Sequence, residues 1–224
     1  MKLKYIFRIA LFAFAAILPV AASAQGGLPP GLYAGADVTK SVFMQGLILE
    51  PVVKLRTNSL LTLSLTYGHA SLTRDPIYEN VAYRNKGSYF KPGAELMLGT
   101  DFVSLGLSYL ISNYTETGQT TLPGPYWGDV TMGYHREMQT KGIEGNLNIY
   151  LPATSWLTIQ LTGRFISVNN HIVSGNNRDV PVFYAPGAGR MREDDSPSQA
   201  TTAGFSAGLL FKLFSLKSAE TPAR

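Results

Sequence analysis

Cysteine is missing from all 224 residues. Its absence excludes disulfide staples and thiolate chemistry, and with no cysteine after the N-terminal apolar run it also excludes a lipid anchor. Histidine is nearly as scarce, with only His69, His135 and His171 in the chain. None of the three stands at metal-ligand spacing to another His, Asp or Glu on one strand face, so no metal site and no cofactor are expected. Sustained helical periodicity is lacking everywhere after residue 25. The one long apolar run, Ile9 to Val20, is too short to span a bilayer as a helix, which takes about 20 residues.

That run follows Lys2, Lys4 and Arg8 and precedes Ala22-Ser23-Ala24, the basic region, apolar region and small-residue cleavage site of a signal peptide. Residues 1–24 are therefore expected to be removed. Their loss takes three of the nineteen basic residues and none of the fifteen acidic ones, so the mature chain is close to neutral. A nucleic-acid partner, which needs a basic face on the mature domain, loses its support. The remaining length, about 200 residues, suits one domain.

What the sequence has in abundance is alternation. In Leu61-Thr62-Leu63-Ser64-Leu65-Thr66-Tyr67-Gly68 every odd position is large and apolar and every even one small or polar. Successive side chains of a strand point to opposite faces, so such a segment has one greasy and one polar face. The pattern recurs at 103–109, 145–151, 157–162 and 205–213, and less cleanly at 31–44, 47–56 and 88–98, for eight candidate strands. The connections form a rhythm. Thr57-Asn58-Ser59, Gly99-Thr100-Asp101 and Pro152-Ala153-Thr154-Ser155 are tight turns. Residues 70–87, 115–140 and 168–199 are long connections rich in Pro, Gly, Asn and charge, and only the first external connection, near Gln45-Gly46, is short.

A soluble sandwich has no reason to put the short turns at one end and the long loops at the other, whereas an outer-membrane barrel has. The fold expected is all-β: an eight-stranded antiparallel up-and-down transmembrane β-barrel over residues 25–214, with short periplasmic turns, long extracellular loops and a periplasmic tail at 215–224. Tyr67, Tyr89, Phe90, Tyr109, Tyr114, Tyr150 and Trp156 fall near strand ends, where interfacial aromatic girdles lie. With the greasy parity toward lipid, the other parity places Asp37, Glu50, Lys54, Arg56, Lys91, Glu95, Glu144, Arg164 and Lys212 inside. Charges withdrawn from water must pair, and eight strands leave an interior just wide enough for side chains, so the expected lumen is filled.

Lys86-Gly87-Ser88-Tyr89-Phe90-Lys91-Pro92-Gly93, Tyr126-Trp127-Gly128-Asp129 and Tyr184-Ala185-Pro186-Gly187-Ala188-Gly189, taken with the strand order, resemble a family of small outer-membrane β-barrel proteins of Gram-negative bacteria with no assigned activity. The resemblance covers essentially the whole mature chain and implies a signal peptide and an outer-membrane location. Many such barrels end on an aromatic residue that the insertion machinery reads, whereas here Phe214 is followed by ten more residues. Phe211 or Phe214 is the candidate signal.

Three functions compete. In the leading one the barrel is not an enzyme, and its loops present a structural, adhesion or partner-binding surface carried by Tyr126, Trp127, Asp129 and Tyr184, since Tyr and Trp supply stiff contact area. The competing use of the loop aromatics is a cap folded over the barrel mouth. In the second, His69-Ala70-Ser71 resembles the His-x-Ser arrangement of lipid A deacylases, with His69 activating Ser71 against an acyl ester and Glu79 as a candidate orienting acid. The third is a narrow pore. His171, Ser174 and Asp179 gather in one loop without a further signal, and Asp194 and Asp195 are too few for a cation site. The partners expected are outer-membrane lipid, the barrel-insertion machinery and an extracellular or envelope protein.

Overall fold

The computed structural model describes residues 28–39, 46–57, 60–74, 81–98, 101–122, 128, 130–176, 182, 184–190 and 198–216. The expected signal peptide and most of the expected tail lie outside these residues.

Eight strands form the wall: β1 (Gly31–Asp37), β2 (Gly46–Leu49 and Pro51–Arg56, broken at Glu50), β3 (Leu61–Arg74), β4 (Val81–Met97), β5 (Val103–Leu122), β6 (Val130–Pro152), β7 (Leu157–Gly175) and β8 (Gln199–Ser215). Each pairs antiparallel with the next in sequence, and β8 returns to β1 from Gly31↔Ser215 to Asp37↔Gly208, so the sheet is a closed ring. Closure removes the free edges that a flat sheet of this length would carry. At one end the connections are tight: Thr57 N–H donates to the Leu61 carbonyl (3.2 Å), Leu98 N–H to Val103 (2.9 Å) and Ala153 N–H to Leu157 (2.9 Å). Thr154 Oγ1 accepts from the Leu157 amide at 3.0 Å and closes the third turn.

At the other end the structure departs from the expected loops. β5 runs for 20 residues and β6 for 23, far more than the about 9 to 11 needed to span a bilayer. Most of the supposed loop at 115–140 is a continuous ladder, paired out to Leu122↔Val130. Likewise 70–74 and 81–87 belong to β3 and β4, and 168–175 to β7. The described strands leave only 75–80 and 123–129 between β3 and β4 and between β5 and β6, and β1 ends at Asp37; the expected short connection near Gln45-Gly46 lies mostly outside the described residues. The reason is physical. Beyond the apolar band the outward face turns polar while the lumen side carries apolar residues such as Tyr114, Met138 and Val168, so the greasy-outward alternation no longer marks the strand although the backbone stays extended.

The outward face carries an apolar band that includes Leu63, Leu65, Leu105, Leu107, Leu147, Phe165, Phe205 and Leu213, all exposed. Tyr67, Phe90, Tyr109 and Trp156 are on this face too, and Trp156 stacks on Phe211 with ring centroids 5.9 Å apart. Three expected girdle residues are not there. Tyr89, Tyr114 and Tyr150 have the inward parity and are buried in the lumen. Gly68, opposite Tyr89, makes room for that ring, since a Cβ at Gly68 would lie 2.0 Å from Tyr89 Cζ.

Candidate functional site

The lumen is built in layers that follow from inward parity. Near the tight turns Leu28, Tyr33, Met97, Tyr150 and Leu210 form an apolar floor, crossed by an ion pair from buried Arg56 to Asp101 at 2.5 Å. Just above it Lys54 Nζ meets Glu95 Oε1 at 2.5 Å and the Tyr150 hydroxyl at 2.8 Å, while Tyr150 and Ser104 both donate to Glu95 Oε2. Next, Lys91 bridges Glu50 (3.0 Å) and Glu144 (3.3 Å), and Arg164 approaches Glu144 at 3.8 Å. Of the nine charges expected inside, these layers bury Glu50, Lys54, Arg56, Lys91, Glu95 and Glu144 and hold Arg164 in the same network; Asp37 and Lys212 are half-buried near the strand ends. A polar cavity of about 80 Å³ remains at this level, bordered by Ser64, Thr66, Ser108, Asn148 and Thr162. Polar space of that size has room for several waters.

Above the charges the lumen is closed by the chain itself. Ala185-Pro186-Gly187-Ala188 makes a tight turn in which the Ala188 amide donates to the Ala185 carbonyl at 3.1 Å and Gly187 has φ +83°. Proline second and a positive-φ glycine third are what a type II turn requires. A two-residue ladder, Tyr184–Ala185 with Gly189–Arg190, frames the turn. The turn points inward. Val182, Ala185 and Ala188 pack with Tyr89, Leu110, Tyr114, Met138, Ile166, Val168 and Ala200. Tyr184 packs with Ile48, Ala70 and Leu72, so one short segment touches both walls. Polar groups fix its depth: Asn85 Nδ2 donates to the Tyr184 carbonyl (3.1 Å) and Arg164 to the Gly187 carbonyl (3.4 Å).

Tyr184 was expected on the loop surface for binding. It is 3% exposed and is instead part of this plug, because the Pro-Gly turn reverses the chain into the barrel rather than away from it. Of the other expected binding residues, Tyr126, Trp127 and Asp129 lie outside the described residues.

At the end of the lumen away from the tight turns the inward side chains carry a pair that the sequence reading missed. Arg136 on β6 donates through Nε and Nη2 to Glu116 Oε1 (3.1 and 2.5 Å), and neither residue has any solvent exposure. Arg136 also lies over the Tyr134 ring, 5.3 Å from its centroid. Both were assigned to a loop. The signal that was present is the alternation of Tyr134, Arg136, Met138 and Thr140, all buried, with exposed His135 and Glu137 and half-buried Gln139 between them.

His69 and Ser71 lie on β3 on the outward face, with register partners Leu49 and Ser88 for His69 and Leu47 and Lys86 for Ser71. Same-face neighbours along a strand stand about 7 Å apart, beyond direct proton transfer between the backbone-fixed positions unless the side chains lean together. No acidic residue faces them among the described residues, and Glu79 is outside those residues. His171 pairs opposite Gln139 and Ser174 donates to Glu137 at 3.0 Å, while Asp179 is outside the described residues. Asp194 and Asp195 also lie outside.

The class this geometry defines is a closed eight-stranded antiparallel β-barrel with a loop turned into its own lumen. No family model matches the chain, and no curated relative matches it. Among solved structures it is similar to CarO2 of Acinetobacter baumannii, at 11% identity and a TM-score of 0.42 over 84% of this chain and 100% of that one. It is also similar to CarO of the same organism, at 13% identity and a TM-score of 0.40 over 83% and 98% of the two chains.

Proposed function

We propose that this chain is a bacterial outer-membrane barrel with a filled, non-conducting lumen and no enzymatic activity of its own, which presents its outer strands as a structural or partner-binding surface. The observation that carries this reading is the turn at Ala185–Ala188, seated between both walls above a layer of mutually paired charges. A conducting pore needs continuous water-filled space. Here side chains and a folded-back segment take that space, and the interior charges neutralise one another.

The outward apolar band supports a lipid surroundings for the wall, since soluble proteins rarely expose a contiguous apolar surface beyond a few hundred Å². Surface presentation rests on the β5–β6 hairpin. β6 is paired with β7 only from Arg136 inward, yet remains paired with β5 up to Val130, and Val130, Thr131, Met132 and Gly133 are exposed on both faces. Among the described residues this hairpin outruns β7, while β4 stays paired with β5 as far as Val81↔Thr120.

Reconstitution into planar bilayers tests the filled lumen: the purified barrel is expected to give no steady conductance, and a stable single-channel current overturns the reading. The native chain has no cysteine, so Thr131→Cys offers one label site. A membrane-impermeant maleimide added to intact cells is expected to react with it, and protection until the outer membrane is opened overturns the orientation.

A further inference from the structure

Three pairs on the outward face of the β3–β4 ladder bring together the residues that catalysis does not use: His69↔Ser88, Ser71↔Lys86 and Thr73↔Arg84. The pair one step nearer the band is Tyr67↔Phe90, followed by the exposed Leu65 and Leu63. The polar tile thus begins where the apolar band ends and rises over about 13 Å along the strands. Lys86 and Arg84 are exposed, and Arg84 Nε donates to Thr73 Oγ1 at 3.2 Å, which orients its guanidinium along the wall.

We propose that this tile binds the phosphate groups of a phosphorylated lipid in the leaflet at the outer end of the barrel. The proposal rests on the membrane-barrel reading above. The donor set is that of a phosphate site: a guanidinium fork, an ammonium, an imidazole and three hydroxyls. Among the described residues no acid lies on the outward face of β2 to β5 above the Tyr67–Phe90 pair. The nearest described acid on that side of the wall is Glu137 on β6, separated from Lys86 by Thr115 and engaged by Ser174.

Position selects a lipid over a free anion. An exposed basic tile on a convex wall is screened by salt and holds a small soluble anion weakly. A lipid whose acyl chains lie against Leu63, Leu65, Tyr67 and Phe90 already has its headgroup at the tile, at high effective concentration. The His-x-Ser alternation is then explained without hydrolysis, since both groups face the same headgroup as donors.

The test folds the mature chain into phosphatidylcholine vesicles containing lipid A, its dephosphorylated form, or neither, and counts retained lipid by native mass spectrometry after detergent extraction. Wild type is expected to retain lipid A. Arg84→Gln combined with Lys86→Gln retains about thirtyfold less, each of the two bases near a charged surface being worth roughly 1 kcal/mol, whereas Lys86→Arg retains it fully. Flotation with the vesicles and heat-modifiable migration check that each variant is a folded barrel. Equal retention by wild type and the double variant overturns the proposal, as does equal retention of the dephosphorylated lipid. Displacement by millimolar inorganic phosphate overturns the choice of a lipid. Failure of wild type to float with vesicles of any composition overturns the membrane reading itself.

Discussion

Glu116 and Arg136 face each other across the β5–β6 ladder as a fully buried ion pair, at the mouth of the lumen and past the end of the apolar band. Removing one partner leaves an uncompensated buried charge, which costs about 3 to 5 kcal/mol. Arg136→Leu is therefore expected to lower the urea midpoint of the folded barrel in vesicles sharply. Glu116→Leu combined with Arg136→Leu recovers most of that loss. A double variant no better than the single one would mean that the pair does not act as a unit.

Tyr150 is the hydroxyl shared by Lys54 and Glu95 in the lower lumen. Tyr150→Phe keeps the ring in the apolar floor and deletes hydrogen bonds to two charged groups, worth about 1.5 to 3 kcal/mol each way in such settings. The same urea titration is expected to show a loss of at least about 1 kcal/mol, with the closed barrel retained on gels.

The plug hangs on Gly187. Its φ of +83° suits glycine, and a Cβ there would lie 2.6 Å from Leu110 Cδ1 and 2.7 Å from Tyr89 Cδ2. Gly187→Val is expected to expel the turn from the lumen, read as protease cleavage between Val182 and Gly189 under conditions that leave wild type intact. Planar-bilayer recording then shows whether the opened lumen conducts; an uncleaved variant would mean that the turn is held by other contacts.

Charge placed on the outer wall reports depth. Phe165→Arg puts a guanidinium in the apolar band and is expected to cost about 2 to 4 kcal/mol of folding free energy in bilayers. Gln139→Arg, on the polar outward surface beside Asn113, is expected to cost little. Equal effects at both positions would contradict a lipid boundary between them.

If His69 and Ser71 bind a headgroup rather than cleave an acyl ester, Ser71→Ala leaves the acylation pattern of lipid A unchanged in cells expressing either form. Loss of a deacylated species in the variant would restore the hydrolase reading.

The interior charges were legible early because they share one parity with Thr62 and Ser64 inside strands whose other face is apolar. Tyr89, Tyr114 and Tyr150 were misplaced for a related reason. Tyrosine is amphipathic and suits both an interfacial girdle and a polar lumen, so only its position in the register assigns its face: Tyr150 opposite Gln160, Tyr89 opposite Gly68. Glu116 and Arg136 escaped because the alternation used to mark a strand is an apolar outward face against a polar inward one, and that contrast ends where the apolar band does.

By itself the sequence determined the strand count, the closed antiparallel order and the tight-turn end, since each depends on period-two alternation and on local turn chemistry, which neighbouring residues settle among themselves. Tertiary structure decided the rest. That Tyr184 and the Ala185–Ala188 turn enter the lumen depends on a space left among strands β2 to β8. That His69, Ser71, Arg84 and Lys86 form one surface depends on the pairing of strands whose residues are far enough apart in sequence for only the register to bring them together.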